Sequence, residues 1–302
     1  FLSFPIPREY GGGGATNFDC CIVLEEIAAV CGGVATAIGA SWLALLPILL
    51  GGSEEQRRKW LPPLSSGEAR LCCLAMTEPA GGSDIENPHM RFRTVQTIVR
   101  AEGDVFVING VKIWPSNAGN SYFYVVVGTV DPKLEDAGSC ILIVPAGTPG
   151  LSFGKPIKKM GMDADRNSEI FFEDVRVPRE NLLGGIGDGA RLLQESLIYG
   201  RTGAAAVAVG IARGAFEIAL KYTKERVVAG RPMIGHEIIQ AMFADMATEI
   251  DAARLLMWRA AWFNSQWGQA NMTWSTMAKV YATDVAMKVA TNAVQVMGAY
   301  GY

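Results

Sequence analysis

Two segments about thirty residues apart carry the residue types best suited to holding a cofactor. The first is Leu74-Ala75-Met76-Thr77-Glu78-Pro79-Ala80-Gly81-Gly82-Ser83-Asp84. An apolar stretch runs into a small-residue turn with two hydroxyls and exposed backbone amides. Those groups suit the edge of a ring and the oxygens of a phosphate. The second, Lys112-Ile113-Trp114-Pro115-Ser116-Asn117-Ala118-Gly119, sets a large aromatic beside a hydroxyl. Together they would line a pocket for a flat, hydrogen-bonding ring. On composition alone, a plain strand-to-loop turn and a core tryptophan explain the same residues.

The elements that must position these groups change in texture along the chain. Over residues 1–70 the pattern is helical. Residues 19–30 show apolar positions at helical spacing, and Ser53 and Gln56 stand in capping-box spacing ahead of a short helix that Pro62-Pro63 ends. The apolar run 38–50 reads as a buried helix, shorter than a bilayer span and interrupted by Pro47. From 71 to about 182 the period is strand-like. Segments 105–108, 122–130, 140–144 and 169–177 are rich in β-branched and aromatic residues, and Asn109-Gly110 predicts a hairpin after the first of them. From 183 to 302 the helical period returns, with long helices predicted over 190–228, 236–267 and 273–296. Gly200, Gly203, Gly210 and Gly214 thin the first of these and suit close helix contact. The expected fold is α+β: an N-terminal helical domain (1–70), a small antiparallel β-barrel or sandwich (71–182), and a truncated bundle of long helices (183–302).

Composition excludes several classes. The chain has 302 residues, of which 50% are hydrophobic and 19% charged, so it is globular rather than disordered. A net charge of -3 offers no basic footprint for nucleic acid. Cys20, Cys21, Cys31, Cys72, Cys73 and Cys140 include two adjacent pairs and no metal-ligand spacing. They read as buried free thiols of a reducing compartment, and no metal site is expected. The chain opens at Phe1 in mid-pattern and is expected to be part of a longer protein.

The order helix, small β domain, long-helix bundle resembles the acyl-CoA dehydrogenase family over essentially the whole chain. The likeness includes Pro7-Arg8-Glu9-Tyr10-Gly11-Gly12, Gly52-Ser53-Glu54-Glu55-Gln56 and Phe172-Glu173-Asp174-Val175-Arg176-Val177-Pro178. It implies FAD as cofactor and an acyl-CoA thioester as substrate. It implies an electron-transferring flavoprotein as oxidant and a homotetramer with FAD at subunit interfaces. The bacterial cytoplasm and the mitochondrial matrix are equally compatible settings for a soluble protein of this kind. The implied cofactor set is Leu74, Met76, Thr77, Gly82, Ser83, Trp114, Pro115, Ser116, Arg226, Gln295, Gly298 and Ala299. Thr77 would bond the flavin ring, Gly82 and Ser83 the pyrophosphate, and Trp114 would pack on the isoalloxazine. Arg226 and the Gln295–Ala299 segment would serve the flavin of a neighbouring subunit. Ser83, Tyr199 and Arg201 form the implied substrate set.

Several positions depart from the family pattern. Pro115 lacks the amide donor usual there, Ser116 keeps the hydroxyl without a methyl, and Ala229 and Ala299 replace a phenylalanine and a glycine. His236-Glu237 stands where the family has His-Gln. The largest departure concerns the base that removes the α proton. One family position for it, just before Arg201, is Gly200, and the other lies beyond Tyr302. Glu78 and Glu195 are poor substitutes by position. Alternatives at this stage are altered chemistry on the same scaffold (desulfinase, lyase or oxidase) and a non-catalytic partner subunit. The polar stretch 85–95, with His89, Arg91 and Arg93, reads as a solvated loop or as a lid for CoA phosphate. Lys155, Lys158 and Lys159 read as a solvated face.

Overall fold

Local chemistry starts the helices. The structure, a computed structural model, describes residues 1–302 except 88, 90, 91 and 267–269. Helix α1 (Asn17–Val30) begins at a capping box in which the Thr16 side chain accepts from Asp19 N and the Asp19 carboxylate accepts from Thr16 N. Helix α2 (Gly32–Gly51) is longer than the apolar run 38–50, because Gly32, Gly33 and the small residues after them extend it toward its N-terminus. By length and composition alone, α2 and the helix Gly189–Glu225 are long and apolar enough to cross a membrane, which corrects the expectation that the run is too short. About half of each apolar window is buried inside the protein, as in core helices. Helix α3 (Glu54–Trp60) starts at the Ser53/Gln56 capping box. Gln56 Nε2 also donates to Glu180 O and Leu182 O, which ties this helix to the chain leaving the β domain.

Eight strands form one sheet: β1 (Leu71–Ala75), β2 (Ile98–Glu102), β3 (Val105–Lys112), β4 (Ser121–Thr129), β5 (Ser139–Pro145), β6 (Leu151–Phe153), β7 (Ile170–Pro178) and β8 (Leu182–Leu183). Their order is β6-β7-β3-β2-β4-β5-β8, with β1 also paired to β4. The domain is largely antiparallel as expected, but β1 and β2 each join β4 in parallel. A long connection, 76–97, separates those two strands and lets both run alongside β4 in the same sense. One face packs a core that includes Cys73, Val99, Phe106, Tyr124, Leu142 and Phe172. The other face of β4 is also covered, with the Trp60 ring edge-on to Phe123 at 5.6 Å. Burial on both faces explains why Val125-Val126-Val127 reads as a continuous apolar run rather than an alternation.

The Asn109-Gly110 hairpin is not formed. Strand β3 passes straight through it, paired on both edges. Asn109 Nδ2 donates to Asp174 Oδ1, its Oδ1 accepts from Asp174 N, and a bulge follows between Ile108 and Gly110. Gly110 is required there: its φ is 153°, and a Cβ would lie 2.7 Å from Thr97 Cα. The true hairpin turns on Gly103-Asp104, with Gly103 at φ 55° and Glu102 opposite Val105.

The remaining elements are α4 (Gly189–Glu225), a small hairpin of β9 (Val227–Val228) and β10 (Arg231–Pro232), α5 (Glu237–Asn264) and α6 (Met272–Met297). Three long helices lie where they were predicted, but the first ends at Glu225, so that Val227–Val228 is strand, and the second ends at Asn264; Trp267, its predicted end, lies outside the described residues. The chain divides into two compact units, Phe1–Ala15 with Ala37–Leu197, and Thr16–Thr36 with Ile198–Tyr302. In the second unit α1 packs with the later helices. A Cβ on Gly210 would lie 2.4 Å from Glu25 O and one on Gly214 2.1 Å from Ala29 O, so α4 and α1 touch through backbone. Buried Glu25 accepts from Arg254 at 2.9 Å, and Arg213 grips Glu26 through both guanidinium nitrogens at 2.7 Å.

All six cysteines are free, and all but Cys31 are buried. Burial raises the Cys21 and Cys140 thiols to about 12, so these are packing groups rather than nucleophiles.

Candidate cofactor and substrate site

The two segments singled out in the sequence lie side by side in the first unit. Strand β1 delivers Leu74 and then Met76 and Thr77 into the turn; β3 delivers Lys112, Ile113 and Trp114 alongside it. Ile113 N donates to Thr77 O at 2.9 Å, and the Thr77 hydroxyl donates back to Ile113 O. The hydroxyl proton is thereby committed, and Thr77 Oγ1 faces any ligand as an acceptor. Behind this pair Lys112 Nζ lies 2.6 Å from Glu78 Oε1 and donates to Met76 O at 3.0 Å. Both side chains are shut from solvent. The Glu78 carboxylate is filled by Gln96 N, Thr97 N, the Thr97 hydroxyl and the ammonium. Burial lowers the Lys112 pKa, against the opposing pull of Glu78. A glutamate so occupied is a structural anchor and not a proton acceptor for substrate.

The turn after Glu78 is closed by the Glu78–Gly81 bridge. Gly82 N donates to Asp84 Oδ1 at 2.7 Å, and Asp84 Oδ2 accepts from the Thr94 hydroxyl. These bonds, led by that of Thr94, hold the Asp84 carboxyl below its ordinary value. The Gly82 amide is spent on this turn, yet a Cβ at Gly82 would meet nothing within 4 Å, so the backbone there is open to a close ligand. Ser83 is exposed at the start of a short 3₁₀ turn, Ser83–Glu86.

Trp114 sits in a left-handed backbone conformation, φ 72°, with 54% of its surface exposed. Pro115 is buried behind it and Ser116 is half-buried. Asn117, fully buried at φ 66°, locks this corner from below. Its Nδ2 lies within hydrogen-bond distance of Ala37 O, Ser41 Oγ and Cys72 O. Sequence reasoning assigned Asn117 no role; an asparagine ahead of Ala-Gly, tolerant of left-handed backbone, was the available signal. An exposed indole face on a rigid corner, an open glycine backbone and a hydroxyl acceptor beside them fit a flat heteroaromatic ring with a phosphate tail.

In the second unit, Arg226 is exposed one residue past α4, and Gln295, Gly298 and Ala299 are exposed at the end of α6. Tyr222 and Tyr300 stack at 6.0 Å, which brings these two helix ends together. Gly298 turns the chain at φ 59° with open space at its Cβ. Ala229 takes φ 49° in the β9–β10 turn ahead of Gly230, so its methyl stands on a strained left-handed residue. His236 Nε2 bonds Val228 O and its Nδ1 faces Arg231 Nη2, which braces this hairpin to the start of α5. Tyr199 and Arg201 are half-buried near the other end of the same helix, about 37 Å from Arg226 at 1.5 Å per residue. Arg201 lies against Met272. Tyr199 and Arg201 therefore do not share a site with Arg226 within one chain.

The comparisons agree on one family. Its N-terminal, middle and C-terminal domain profiles, each described as acyl-CoA dehydrogenase, match residues 1–68, 73–175 and 187–302. A cyclohex-1-ene-1-carbonyl-CoA dehydrogenase of Syntrophus aciditrophicus (strain SB) is 42% identical over 100% of this chain and 71% of that protein. This chain belongs to the acyl-CoA dehydrogenase family. The human mitochondrial short-chain specific acyl-CoA dehydrogenase is 36% identical over 100% of this chain and 71% of its own length. The solved butyryl-CoA dehydrogenase of Megasphaera elsdenii superposes with a TM-score of 0.93 at 36% identity, covering 100% of this chain and 78% of that one.

Within this acyl-CoA dehydrogenase scaffold, the remaining candidates resolve plainly. Gly200 carries no proton acceptor, and Glu195 is paired with Arg191 at 3.1 Å. Arg93 of the 85–95 stretch is paired with Glu135, and Ile85, Phe92 and Val95 are buried, while Asn87, His89 and Arg93 are exposed. Arg91 lies outside the described residues. Lys159 is not on a solvated face either: its ammonium bonds Asp165 O and Asn167 Oδ1 beneath Ser116. Among the described residues no cluster of three or more His, Cys, Asp or Glu could hold a metal.

Proposed function

We propose that this chain carries out FAD-dependent α,β-dehydrogenation of an acyl-CoA thioester to a trans-2-enoyl-CoA. The observation that carries the reading is the Thr77–Ile113 pairing, which sets the hydroxyl and open glycine turn of one segment against the exposed Trp114 of the other. FAD supplies the hydride acceptor for the β carbon. Thr77 and Ser116 would meet the ring edge, Trp114 would cover a face, and the Gly82-Ser83 backbone would hold the pyrophosphate. Tyr199 and Arg201 would serve the thioester substrate, as the resemblance implies for them and, separately, for Ser83. None of the three positions considered for the α proton can take it: Gly200 has no side chain, and Glu78 and Glu195 are engaged. An electron-transferring flavoprotein takes the two electrons.

The assembly we propose is a homotetramer. Two observations support it. The Arg226 and Gln295–Ala299 set stands about 37 Å from Arg201 along α4, as expected if it serves a neighbour's flavin. Helices α5 and α6 also expose Ile238, Leu255, Trp262, Met277, Val280 and Met287. Six free thiols fit a reducing compartment, the bacterial cytoplasm or mitochondrial matrix.

A visible spectrum of the purified protein tests the reading, taken before and after anaerobic addition of acyl-CoAs. Short straight-chain and alicyclic thioesters lead the panel, because the relatives' names specify such acyl groups. Bleaching of an oxidised flavin band by one of them is the expected result. A bound flavin indifferent to every thioester points to altered chemistry on the scaffold, and a flavin-free protein to a non-catalytic subunit.

A further inference from the structure

Helices α1, α4, α5 and α6 of the second unit meet at a largely buried polar cluster. Thr202 of α4 and Ser275 of α6 are 0% exposed, and Asn264, the last residue of α5, is 3% exposed. Asn17, the first residue of α1, joins them. A backbone N–H can only donate, and this fixes the amides. Asn271 N donates to Asn264 Oδ1 at 3.1 Å, so the Asn264 oxygen faces the link to α6 and Nδ2 faces the other way. There Nδ2 donates to Ser275 Oγ at 3.0 Å and lies 3.3 Å from Asn17 Oδ1. Asn17 Oδ1 also accepts the Thr202 hydroxyl at 2.9 Å, and the oxygen of that hydroxyl lies 2.8 Å from Tyr199 O.

The cluster reaches Arg201 by two routes. One runs from Asn264 through Asn17 to Thr202, the residue after Arg201. The other runs through the start of α6. Asn271 caps that helix by accepting from Trp274 N at 3.0 Å, and its own N–H is tied to Asn264. Asn264 therefore sets where Met272, the first residue of α6, stands, and Arg201 Nη1 lies against Met272 Sδ at 2.6 Å. At the same end of the bundle Ser265 Oγ accepts from Phe18 N at 3.0 Å, which fastens the start of α1 to the end of α5. A leucine inside a bundle stabilises as well as a hydrogen-bonded amide, because folding merely exchanges bonds to water for bonds within the protein. What the amides add is direction: a satisfied network accepts one arrangement of the helices, whereas an apolar contact accepts several.

We propose that Asn17, Thr202 and Asn264 are positioning residues for Arg201, and that they hold its guanidinium in place for the acyl-CoA thioester. This rests on the reading of Arg201 as a substrate-binding residue. The three act through the backbone at 201–202 and through Met272, not by contact with substrate.

The test uses the FAD-loaded protein and the variants Thr202→Val, Thr202→Ser, Asn264→Leu, Arg201→Met and the double variant Thr202→Val with Arg201→Met. The thermal midpoint is read beside kcat/KM for the thioester that best bleaches the flavin. Thr202→Val keeps the shape and cuts the Asn17 route, and kcat/KM is expected to fall about fivefold, the worth of one ordinary hydrogen bond. Thr202→Ser keeps the hydroxyl and is expected to retain the wild-type value. Asn264→Leu cuts both routes and is expected to lose more than Thr202→Val. In the Arg201→Met background nothing is left to position, so Thr202→Val then costs no further kcat/KM. A cluster that serves only packing shifts the thermal midpoint and leaves kcat/KM of the folded enzyme alone. An unchanged kcat/KM in Thr202→Val overturns the proposal, as does a Thr202→Ser protein equally impaired, or losses that add in the double variant. If Asn264→Leu does not fold, the Thr202 series decides alone. An Arg201→Met protein with wild-type kcat/KM fails the reading of Arg201, and the proposal with it. A wild type that oxidises no thioester fails the dehydrogenase reading, a separate result; the Kd of butyryl-CoA across the same variants then decides, and absence of binding overturns the proposal.

Discussion

Lys112 Nζ and Glu78 Oε1 meet 2.6 Å apart with no solvent at either side chain, and through this ion pair the two ligand-facing segments are one body. The lysine also holds Met76 O, one residue before Thr77. Removing one partner strands a buried charge, which costs about 3–5 kcal/mol. Lys112→Met and Glu78→Gln are each expected to lower the urea midpoint sharply and to loosen FAD. The double variant Glu78→Leu with Lys112→Met is expected to be more stable than either single. A double variant as unstable as the sum of the singles counts against the pair.

Asn117 Nδ2 has three buried acceptors within reach of its two protons, on a left-handed backbone. Alanine there loses the bonds and adds left-handed strain, together about 2–4 kcal/mol. Chemical unfolding of Asn117→Ala measures it. Asn117→Gly, which relieves only the backbone part, should recover about 1 kcal/mol of the loss.

Asp84 closes the turn after Glu78 as a carboxylate, accepting from Thr94 and Gly82. Its folded pKa is depressed, so its contribution is present above the ordinary value of 3.8 and is lost as pH falls through the lower folded value. Urea midpoints from pH 6 down to pH 3 should therefore fall more steeply in the wild type than in Asp84→Asn, and the two curves should converge at the acid end. Parallel curves would remove Asp84 from the acid response.

The glycines of α4 differ in kind. Gly214→Ala drives a methyl to 2.1 Å from Ala29 O and is expected to destabilise by about 1–3 kcal/mol or more. Gly203→Ala meets only Leu24 Cδ1 at 3.5 Å, and removes a helix-interior glycine. It should stabilise by about 0.5–1 kcal/mol. Thermal melts of the two variants, shifted in opposite directions, are the check.

Much of this protein is legible in its residues because the signals are local. The Ser53/Gln56 box caps its helix as its spacing predicts, the long periods from 189 onward are helices, and the hydroxyl-glycine turn and the tryptophan corner are visible as composition. Asn109-Gly110 misleads for the opposite reason. Its turn preference is a few kilocalories at most, and pairing on both edges of β3, with the Asn109–Asp174 bonds, outweighs it. Tertiary structure alone decides which charges are silent and which act. Nothing in the spacing of Glu78, Lys112, Lys159 and Asp165 shows that two of them are a sealed anchor and two a polar knot behind Ser116. Ion pairing depends on distances of a few ångströms, between segments as far apart in the chain as Glu78 and Lys112, and only folding sets those distances.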